Sequence, residues 1–470
     1  MRHIILLVLA GLLSVTSQAQ NLLGITTSPY GGTHRIYLNP ALAADSPHSY
    51  DANLFTANVH ADNNYVRYNA PYSLLTLLAQ NVPNRFRRPD GSLAFQMDYT
   101  REILDGKSKY GTLWGEVRGP ALQFKTGPRG GLGFTSRLRA AAQVSGASEQ
   151  LLSALRASLR DSALFSIPSR DNKFSINTNT YAEVALTFAY TLLEDEGQKL
   201  LGGITVKRLF GYTSGHLINR GLDYQIQFDQ TGRDEGYLEV NQVDADLGYT
   251  SFLQGRNFSP RTLLNPEAPG NGWGVDLGVS YIAQVDEDAP LLRLSGSLMD
   301  IGSIRYEGQA YDVQRQNVRF YPSDFDQVGG SEDIAGVLRQ KLDIEPASGK
   351  RSFRSGLPTA LNLAAEWQSP AGLGMSVVWF QNMRGLTAIA MHQPTLIAIT
   401  PRFTTRLIEA SIPIAYLNRG IMVGLAGRLG PFWLGSDNIM GLMGSGRNGF
   451  APRGIDVYGG VAFGLNRKTL

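Results

Sequence analysis

The sequence predicts an all-β protein, a transmembrane antiparallel β-barrel of about 14–16 strands. Three observations predict it: many segments alternate between apolar and polar residues, the connections between them alternate in length, and the composition combines few charges with many glycines and aromatics. Charged residues make up 18% of the 470 residues, whereas soluble domains carry roughly 25%. The chain contains 52 Gly, 20 Tyr, 20 Phe and 5 Trp. Short helices in the long loops and an N-terminal hatch in the lumen complete the predicted fold.

The charge balance and the cysteine count exclude several classes of function. Lys+Arg 43 against Asp+Glu 40 gives a formal net charge of +3, which is too even for a nucleic-acid-binding protein. With 0 Cys, the chain forms no disulfide, no cysteine-based metal site and no lipid-anchored cysteine. The basic residues are 34 Arg and 9 Lys. This ratio suits a polar lumen or a phosphorylated lipid surface, and a genomic base-composition bias explains it equally well.

The N-terminus predicts Sec-type export. Arg2 precedes an apolar run at 4–13, and SQA at 17–19 has the small-x-small pattern of a signal-peptidase site. The run is too short to span a bilayer, which needs about 20 residues, and we expect no later transmembrane helix. An uncleaved anchor is the alternative. We therefore predict a location in the outer membrane of a Gram-negative bacterium, with three regions: a signal peptide at 1–19, a hatch or plug segment at 20–49, and the barrel at 50–470.

Alternation within single segments predicts the two faces of the wall. In 273–281 the odd positions are Trp, Val, Leu, Val and Tyr, and the even positions are Gly, Asp, Gly and Ser. One face is apolar with aromatics at both ends, as expected for a lipid-facing side. A soluble β-sandwich also alternates, but charged residues recur on the second face here. Similar segments lie at 132–138, 182–190, 222–228, 361–367 and 455–465. We expect the lumen to be lined by Arg137, Arg139, Glu183, Asp276 and Glu366.

The connections between predicted strands alternate between short and long. Short turns are predicted at 125–130, 193–199, 229–236, 286–290 and 369–372, and long loops at 144–172, 211–220, 250–272 and 306–357. Outer-membrane barrels keep this order, because their periplasmic turns are short and their extracellular loops are long. Counting the segments gives about sixteen strands, of which the one with Pro413 is the least secure because proline removes a ladder donor. Helical patterns at 148–159 and 331–342 predict either caps over the barrel mouth or a lid or docking surface.

Residues 20–45 are predicted to fill the lumen. They contain Gly24, Gly31, Gly32 and Pro40 and show no sustained alternation. Such a segment is too irregular to lie in lipid, where every backbone group must be paired within the protein. Its apolar side chains favour packing inside the barrel over the alternative, a periplasmic tail.

Several short motifs suggest a family. The Gly-rich stretch TTSPYGGTHRIY (26–37) is followed by LNPA (38–41), and further motifs are VDLGVSY (275–281), SLMDIGSIRY (297–306), PTALNLAAEW (358–367) and LGSDNI (434–439). Together they resemble an uncharacterised outer-membrane β-barrel family related to the long-chain fatty-acid transporter superfamily and to type IX secretion-associated barrels. The resemblance implies that Asn39, Pro40 and Ala41 are hatch residues. The strand count and the C-terminal NRKTL depart from the pattern of that superfamily.

No residue pattern indicates an enzyme, a metal site or a cofactor. The five His after the signal peptide are not spaced as paired ligands, and the close pair Ser214 and His216 is predicted in a loop, where neighbours seldom form a catalytic pair. The first functional hypothesis is a porin-like, passive transport barrel for a small or hydrophobic molecule. The alternative is a structural or accessory subunit of a protein-secretion or surface assembly. The predicted partners are outer-membrane lipids, a hydrophobic small-molecule cargo and secretion-machinery proteins, and not nucleic acid.

Overall fold

The alternating segments form one closed wall of antiparallel strands. The computed structural model describes residues 22–94, 96–230, 232–250, 268–284, 286, 288–326, 331–345, 349–446, 449 and 451–466, so the predicted signal peptide lies outside the described residues. In chain order the strands are β1 (Tyr50–Asn63), β2 (Val66–Tyr68), β3 (Thr100–Glu102), β4 (Lys109–Arg118), β5 (Ala121–Lys125), β6 (Gly130–Ala147), β7 (Ser169–Asp195), β8 (Gln198–Asp229), β9 (Glu235–Tyr249), β10 (Gly270–Ala283), β11 (Leu291–Phe320), β12 (Lys350–Gly356), β13 (Ala360–Gln368), β14 (Leu373–Asn382), β15 (Leu396–Thr404), β16 (Ile408–Ser411), β17 (Ile414–Leu417), β18 (Gly420–Val423), β19 (Leu425–Leu429), β20 (Phe432–Ser436) and β21 (Ile455–Leu465).

The wall closes because β1 pairs with β21 on one side and with β4 and β5 on the other. Nineteen segments share this sheet, and β2 and β3 form a separate small one. Five pairs of segments are collinear: β4 with β5, β9 with β10, β12 with β13, β16 with β17, and β18 with β19. In the described part of the chain the barrel therefore has 14 strand positions, which confirms the predicted fold class at the lower end of its range.

The count of sixteen strands is wrong for identifiable reasons. The sixteen predicted strands include 93–100, 200–212, 220–229, 237–250 and 272–283. Those at 200–212 and 220–229 are one continuous strand, β8. The segments 237–250 and 272–283 occupy one position, because β9 and β10 both pair with β8 and with β11. The segment 93–100 lies outside the wall, whereas 50–63 lies in it as β1. Pro413 interrupts its strand as expected, separating β16 from β17.

Three strands extend far beyond the membrane. β7, β8 and β11 contain 27, 32 and 30 residues, whereas a strand crosses a bilayer in about 9–11 residues. Because β8 is continuous, the predicted loop at 211–220 is wrong. The turn predicted at 229–236 lies at the same end as the long loops, so its assignment as a short periplasmic turn is also wrong. We call the parts of β6 to β9 and β11 above the membrane, around residues 174, 222, 240 and 318, the extracellular extension.

The two faces of the wall follow the predicted alternation within the membrane. On β7, Leu186 is 66% exposed, whereas Glu183, on the opposite face of the same strand, is 1% exposed. On β10, Trp273, Leu277 and Val279 are exposed while Asp276 is buried. The segment 222–228 is the exception. Leu222, Tyr224 and Ile226 belong to the extracellular extension, where helix and strand side chains cover them.

The helices are short and lie mainly in the extracellular connections. They are α1 (Leu23–Thr26), α2 (Leu74–Leu78), α3 (Glu149–Arg156), α4 (Ser331–Lys341) and α5 (Ile439–Met443), with 3-10 helices at Gly32–Tyr37, Pro40–Ala44, Asn84–Phe86, Met97–Tyr99, Ser162–Leu164 and Pro322–Phe325. The helices predicted in 148–159 and 331–342 are confirmed as α3 and α4. Ser148 caps α3, because its side chain accepts a hydrogen bond from the Leu151 N–H. Among the described residues, no helix is both long enough and apolar enough to cross a membrane.

The chain from Leu22 to Ala43 lies inside the barrel. Nearly all of its side chains are buried, and its helices contact the inner faces of strands all around the wall. Leu23 and Leu38 pack with Val378, Phe380 and other side chains of β13 to β18. We call residues 22–49 the N-terminal segment.

Candidate functional site

The N-terminal segment is held against the wall through the Asn-Pro-Ala motif. Asn39 caps the 3-10 helix Pro40–Ala44, because its Oδ1 accepts a hydrogen bond from the Ala41 N–H at 2.9 Å. Its Nδ2 donates to the backbone carbonyls of Val279 at 2.8 Å and Gly296 at 3.1 Å. One side chain therefore starts a helix and ties it to two neighbouring strands, β10 and β11.

Glycines in the wall make room for this motif. A Cβ at Gly278 would overlap the Asn39 amide, and one at Gly203 would overlap the Pro40–Ala41 peptide. A Cβ at Gly131 would overlap the backbone of Ala43. These three glycines lie on β10, β8 and β6, so three separate strands omit a side chain where the segment approaches them. Inward-facing glycines at matching heights are the sequence signal for this contact.

Four of the five predicted lumen residues meet in one buried layer. Arg139 Nη1 donates to Asp300 Oδ2 at 2.7 Å, and Arg137 Nη2 donates to Asp300 Oδ1 at 3.2 Å. Arg137 also pairs with Glu183. Asp276 accepts a hydrogen bond from the Asp300 N–H at 2.7 Å. All five side chains are buried, so the structure places these residues together around Asp300.

The layer contains four charged residues that the sequence analysis did not single out: Glu116, Arg118, Lys207 and Asp300. Lys207 Nζ lies 2.7 Å from Asp276 Oδ1 and also contacts Asp300. Glu116 pairs with Arg118 and lies within salt-bridge distance of Arg137 and Arg139. The complete layer therefore holds four cations and four carboxylates and is formally neutral. We call these eight residues the charge layer.

Asp300 reaches the layer through a local irregularity of β11. Its φ is 54, a left-handed conformation that Asp tolerates better than most residues. The β10–β11 register shifts between Val275 and Leu277, opposite this residue. Gly302, with φ 155, completes the bulge. Strict alternation cannot predict a side chain turned inward by a bulge, and the Asp-x-Gly sequence at 300–302 is the available signal.

Glu366, the fifth predicted lumen residue, belongs to a second cluster. It pairs with Arg293, which also pairs with Asp45 of the N-terminal segment. Arg35 Nη2 lies 3.3 Å from the same Asp45 carboxylate. Burial alone would raise the pKa of Asp45, but Arg293 and Arg35 lower it to about 2. The stability linked to this carboxylate is present above its ordinary pKa of about 3.8 and is lost as pH falls towards 2.

A loop folds inward at the extracellular mouth. Residues 383–395 join β14 to β15, and within them the backbone of His392 exchanges two hydrogen bonds with the Gln143 amide, at 2.9 and 3.1 Å. Beside this loop lies a cavity of about 410 Å³. Side chains around it include Asn64, Ser145, Gln393 and Asn418. Polar side chains therefore line part of the mouth of the lumen.

A second cavity, of about 340 Å³, lies in the extracellular extension and is almost wholly apolar. Helices α3 and α4 cover it, and strands β6 to β9 and β11 form its floor. Its apolar side chains include Val144, Leu155, Ile176, Leu217, Ala245 and Leu338. Among the described residues around it, no side chain carries a charge. We call it the apolar cavity.

The close Ser–His pair in the sequence is not assembled in the structure. His216 lies on β8, and not in a loop as predicted; its Nε2 is 2.7 Å from Asp246 Oδ1. Its buried Nδ1 has no hydrogen-bond partner among the described residues, so it forms no pair with Ser214. Across the described ranges, no group of three or more His, Asp and Glu side chains is arranged to hold a metal ion.

Comparison with solved structures finds several barrels of low similarity. A FadL homologue from Pseudomonas aeruginosa is 10% identical, with 96% of this chain and 99% of that chain covered and a TM-score of 0.35. The Ralstonia pickettii toluene transporter TbuX is 10% identical, with 93% and 96% covered and a TM-score of 0.37. The translocator domain of the autotransporter NalP from Neisseria meningitidis is 9% identical, with 92% of each chain covered and a TM-score of 0.34.

Comparison of sequences identifies the family to which the chain belongs. No curated protein matches it significantly. A family model described as a family of unknown function, DUF5723, matches residues 40–437, which begins at the Asn-Pro-Ala motif and spans most of the wall. The predicted membership of an uncharacterised barrel family is thereby confirmed: the chain belongs to the DUF5723 family.

Proposed function

We propose that this protein is an outer-membrane barrel that captures a small hydrophobic molecule on its extracellular side and passes it onward without an energy source of its own. The observation that carries the proposal is the apolar cavity. Its volume of about 340 Å³ falls within the range of roughly 300–1,000 Å³ typical of ligand sites. Transfer of apolar surface from water into such a site is favourable by about 25 cal/mol per Å².

The filling of the lumen determines whether a solute can pass through it. The N-terminal segment and the charge layer lie across it, and an apolar molecule gains nothing by contacting buried ion pairs. We propose that the N-terminal segment acts as a plug, and that Arg137, Arg139, Glu183, Asp276 and Glu366 hold the lumen closed to unselected solutes. Passage through the lumen then requires the segment to move.

Binding of a fluorescent naphthylamine dye tests the proposal. Ala245 is buried on β9 and lines the apolar cavity, so Ala245→Phe should fill part of the cavity. We expect dye affinity to fall roughly tenfold, equivalent to about 1.4 kcal/mol. Ala365→Phe is the matched control, because Ala365 lies on the outer face of β13 and does not line the cavity. Equal affinity in wild type and Ala245→Phe, with both proteins folded by gel mobility, would exclude the cavity as the capture site.

A second candidate function is an accessory subunit of a protein-secretion or surface assembly. The same closed lumen favours it, since a barrel that conducts nothing can still anchor partners through its extracellular extension. The two candidates predict different results. Transport predicts dye binding that depends on the apolar cavity, whereas the accessory role predicts a protein partner that co-purifies with wild type and is lost when residues 331–342 are replaced by a glycine-serine linker.

A further inference from the structure

We infer that the occupant of the apolar cavity is a hydrocarbon chain of an outer-leaflet lipid, which enters from the membrane side of the wall. The inference rests on the proposed function for the existence of a ligand, and it names the ligand and its route. It follows from the side of the barrel wall on which the cavity lies.

The cavity lies on the outer face of the wall. β6 and β7 pair from Gly130 with Tyr190 to Ser145 with Ser175 without a register shift. Alternation is therefore unbroken along both strands. Val144 on β6 shares a face with Leu132 and Phe134, which are exposed on the outer surface of the wall within the membrane. We call this outer surface the lipid-facing belt. Val144 lines the apolar cavity. The floor of the cavity is thus the upward continuation of the lipid-facing surface.

The opposite face at the same height is polar. Ser175 and Asn177 on β7 are buried towards the lumen, and on β8 and β9 the pair of His216 and Asp246 occupies the corresponding positions. The strands themselves separate these groups from the cavity. A molecule in the apolar cavity is therefore outside the lumen, separated from it by the wall.

Small apolar groups connect the belt to the cavity. The outer face of β6 carries Leu138, Ala140 and Ala142 between the belt and Val144. Their partners on β7 are Ala182, Thr180 and Thr178, in the same order. Thr178 donates its hydroxyl to the Gly215 carbonyl at 3.3 Å, so this polar group has a partner within the wall. Between the lipid-facing surface and the cavity, no outward-facing residue of β6 or β7 carries a charge, so an acyl chain can follow these two strands.

The cover of the cavity shows which part of a lipid it would hold. On α3, Leu151 and Ala154 pack against Leu222 and Val240, and α4 contributes Leu338. The described side chains around the cavity lack a cation that could neutralise a carboxylate or phosphate. An alkyl chain suits this site, and the charged headgroup of the lipid stays outside it.

Quenching by brominated lipids tests the inference. The chain has 0 Cys, so a single introduced cysteine can be labelled at a chosen position. Single cysteines are introduced by Leu155→Cys at the cavity, Ser145→Cys at the polar mouth and Leu186→Cys at the lipid-facing belt. Each is labelled with bimane in the full-length protein. The proteins are reconstituted in phosphatidylcholine vesicles with increasing fractions of lipid brominated on the acyl chain. Ala147→Cys supplies a second cavity position if the first variant folds poorly.

We expect the cavity label to be quenched about as steeply as the belt label, and the mouth label to stay bright. Quenching at the cavity no stronger than at the mouth would overturn the inference. The naphthylamine assay on the same preparations distinguishes failure of the lipid inference from failure of the proposed function. Dye binding without lipid quenching would overturn the lipid occupant and leave the capture function standing, whereas loss of both would overturn both.

Discussion

Replacing Asp300 by asparagine should destabilise the barrel more than any change of similar size on its outer surface. Asp300 accepts from Arg137 and Arg139 and contacts Lys207, and all four side chains are buried. The change leaves the formally neutral charge layer with one uncompensated positive charge. Removing one partner of a buried ion pair costs about 3–5 kcal/mol. Asparagine also tolerates the left-handed backbone at this position, so the variant isolates the loss of charge.

Urea unfolding of the protein in lipid vesicles measures this cost. Trp114 is a suitable reporter, because the guanidinium carbon of Arg139 lies 5.0 Å from its ring centroid. We expect Asp300→Asn to lower the free energy of unfolding by about 3–5 kcal/mol. The double variant Asp300→Asn with Arg139→Gln restores neutrality and should recover part of the loss. A loss below about 1 kcal/mol, the value typical of exposed pairs, would refute the account of a coupled charge layer.

Three further outcomes follow from the faces of the wall and the N-terminal segment. Leu186→Arg should reduce folding yield because a lipid-facing arginine costs about 2–4 kcal/mol at the midplane, whereas Thr178→Arg, on the same face but above the membrane, should not; equal yields would refute the assignment of Leu186 to the membrane-spanning part of the wall. Gly278→Ala should loosen the N-terminal segment and expose it to protease, while Gly296→Ala, whose Cβ meets only an ordinary contact, should leave it protected. Deleting residues 22–37 after the signal peptide should raise conductance in planar bilayers, and unchanged conductance would exclude a plug.

Period-two alternation predicted the fold because it depends only on local residue order. Leu277 and Asp276 lie on opposite faces for the same reason that any neighbouring strand residues do. The strand count failed where this local rule stops applying. Nothing in the order of residues 200–229 distinguishes one long strand from two short ones, and the collinearity of β9 and β10 depends on pairing with β8 and β11, which are distant in sequence.

The candidate site was predictable only in part for the same reason. Arg137, Arg139, Glu183 and Asp276 could be assigned to the inner face, but their meeting at Asp300 depends on a bulge in β11. The apolar cavity was not predicted, because 222–228 has the pattern of a lipid-facing strand. The residues do lie on the outer face, and it is α3, from a distant loop, that covers them in place of lipid.

A density map of the protein purified in its native outer-membrane lipids tests the central claim most directly. The account predicts elongated, chain-like density in the apolar cavity between α3, α4 and the outer face of β6 to β9, together with the N-terminal segment in the lumen. A cavity that is collapsed or filled with ordered water would contradict it.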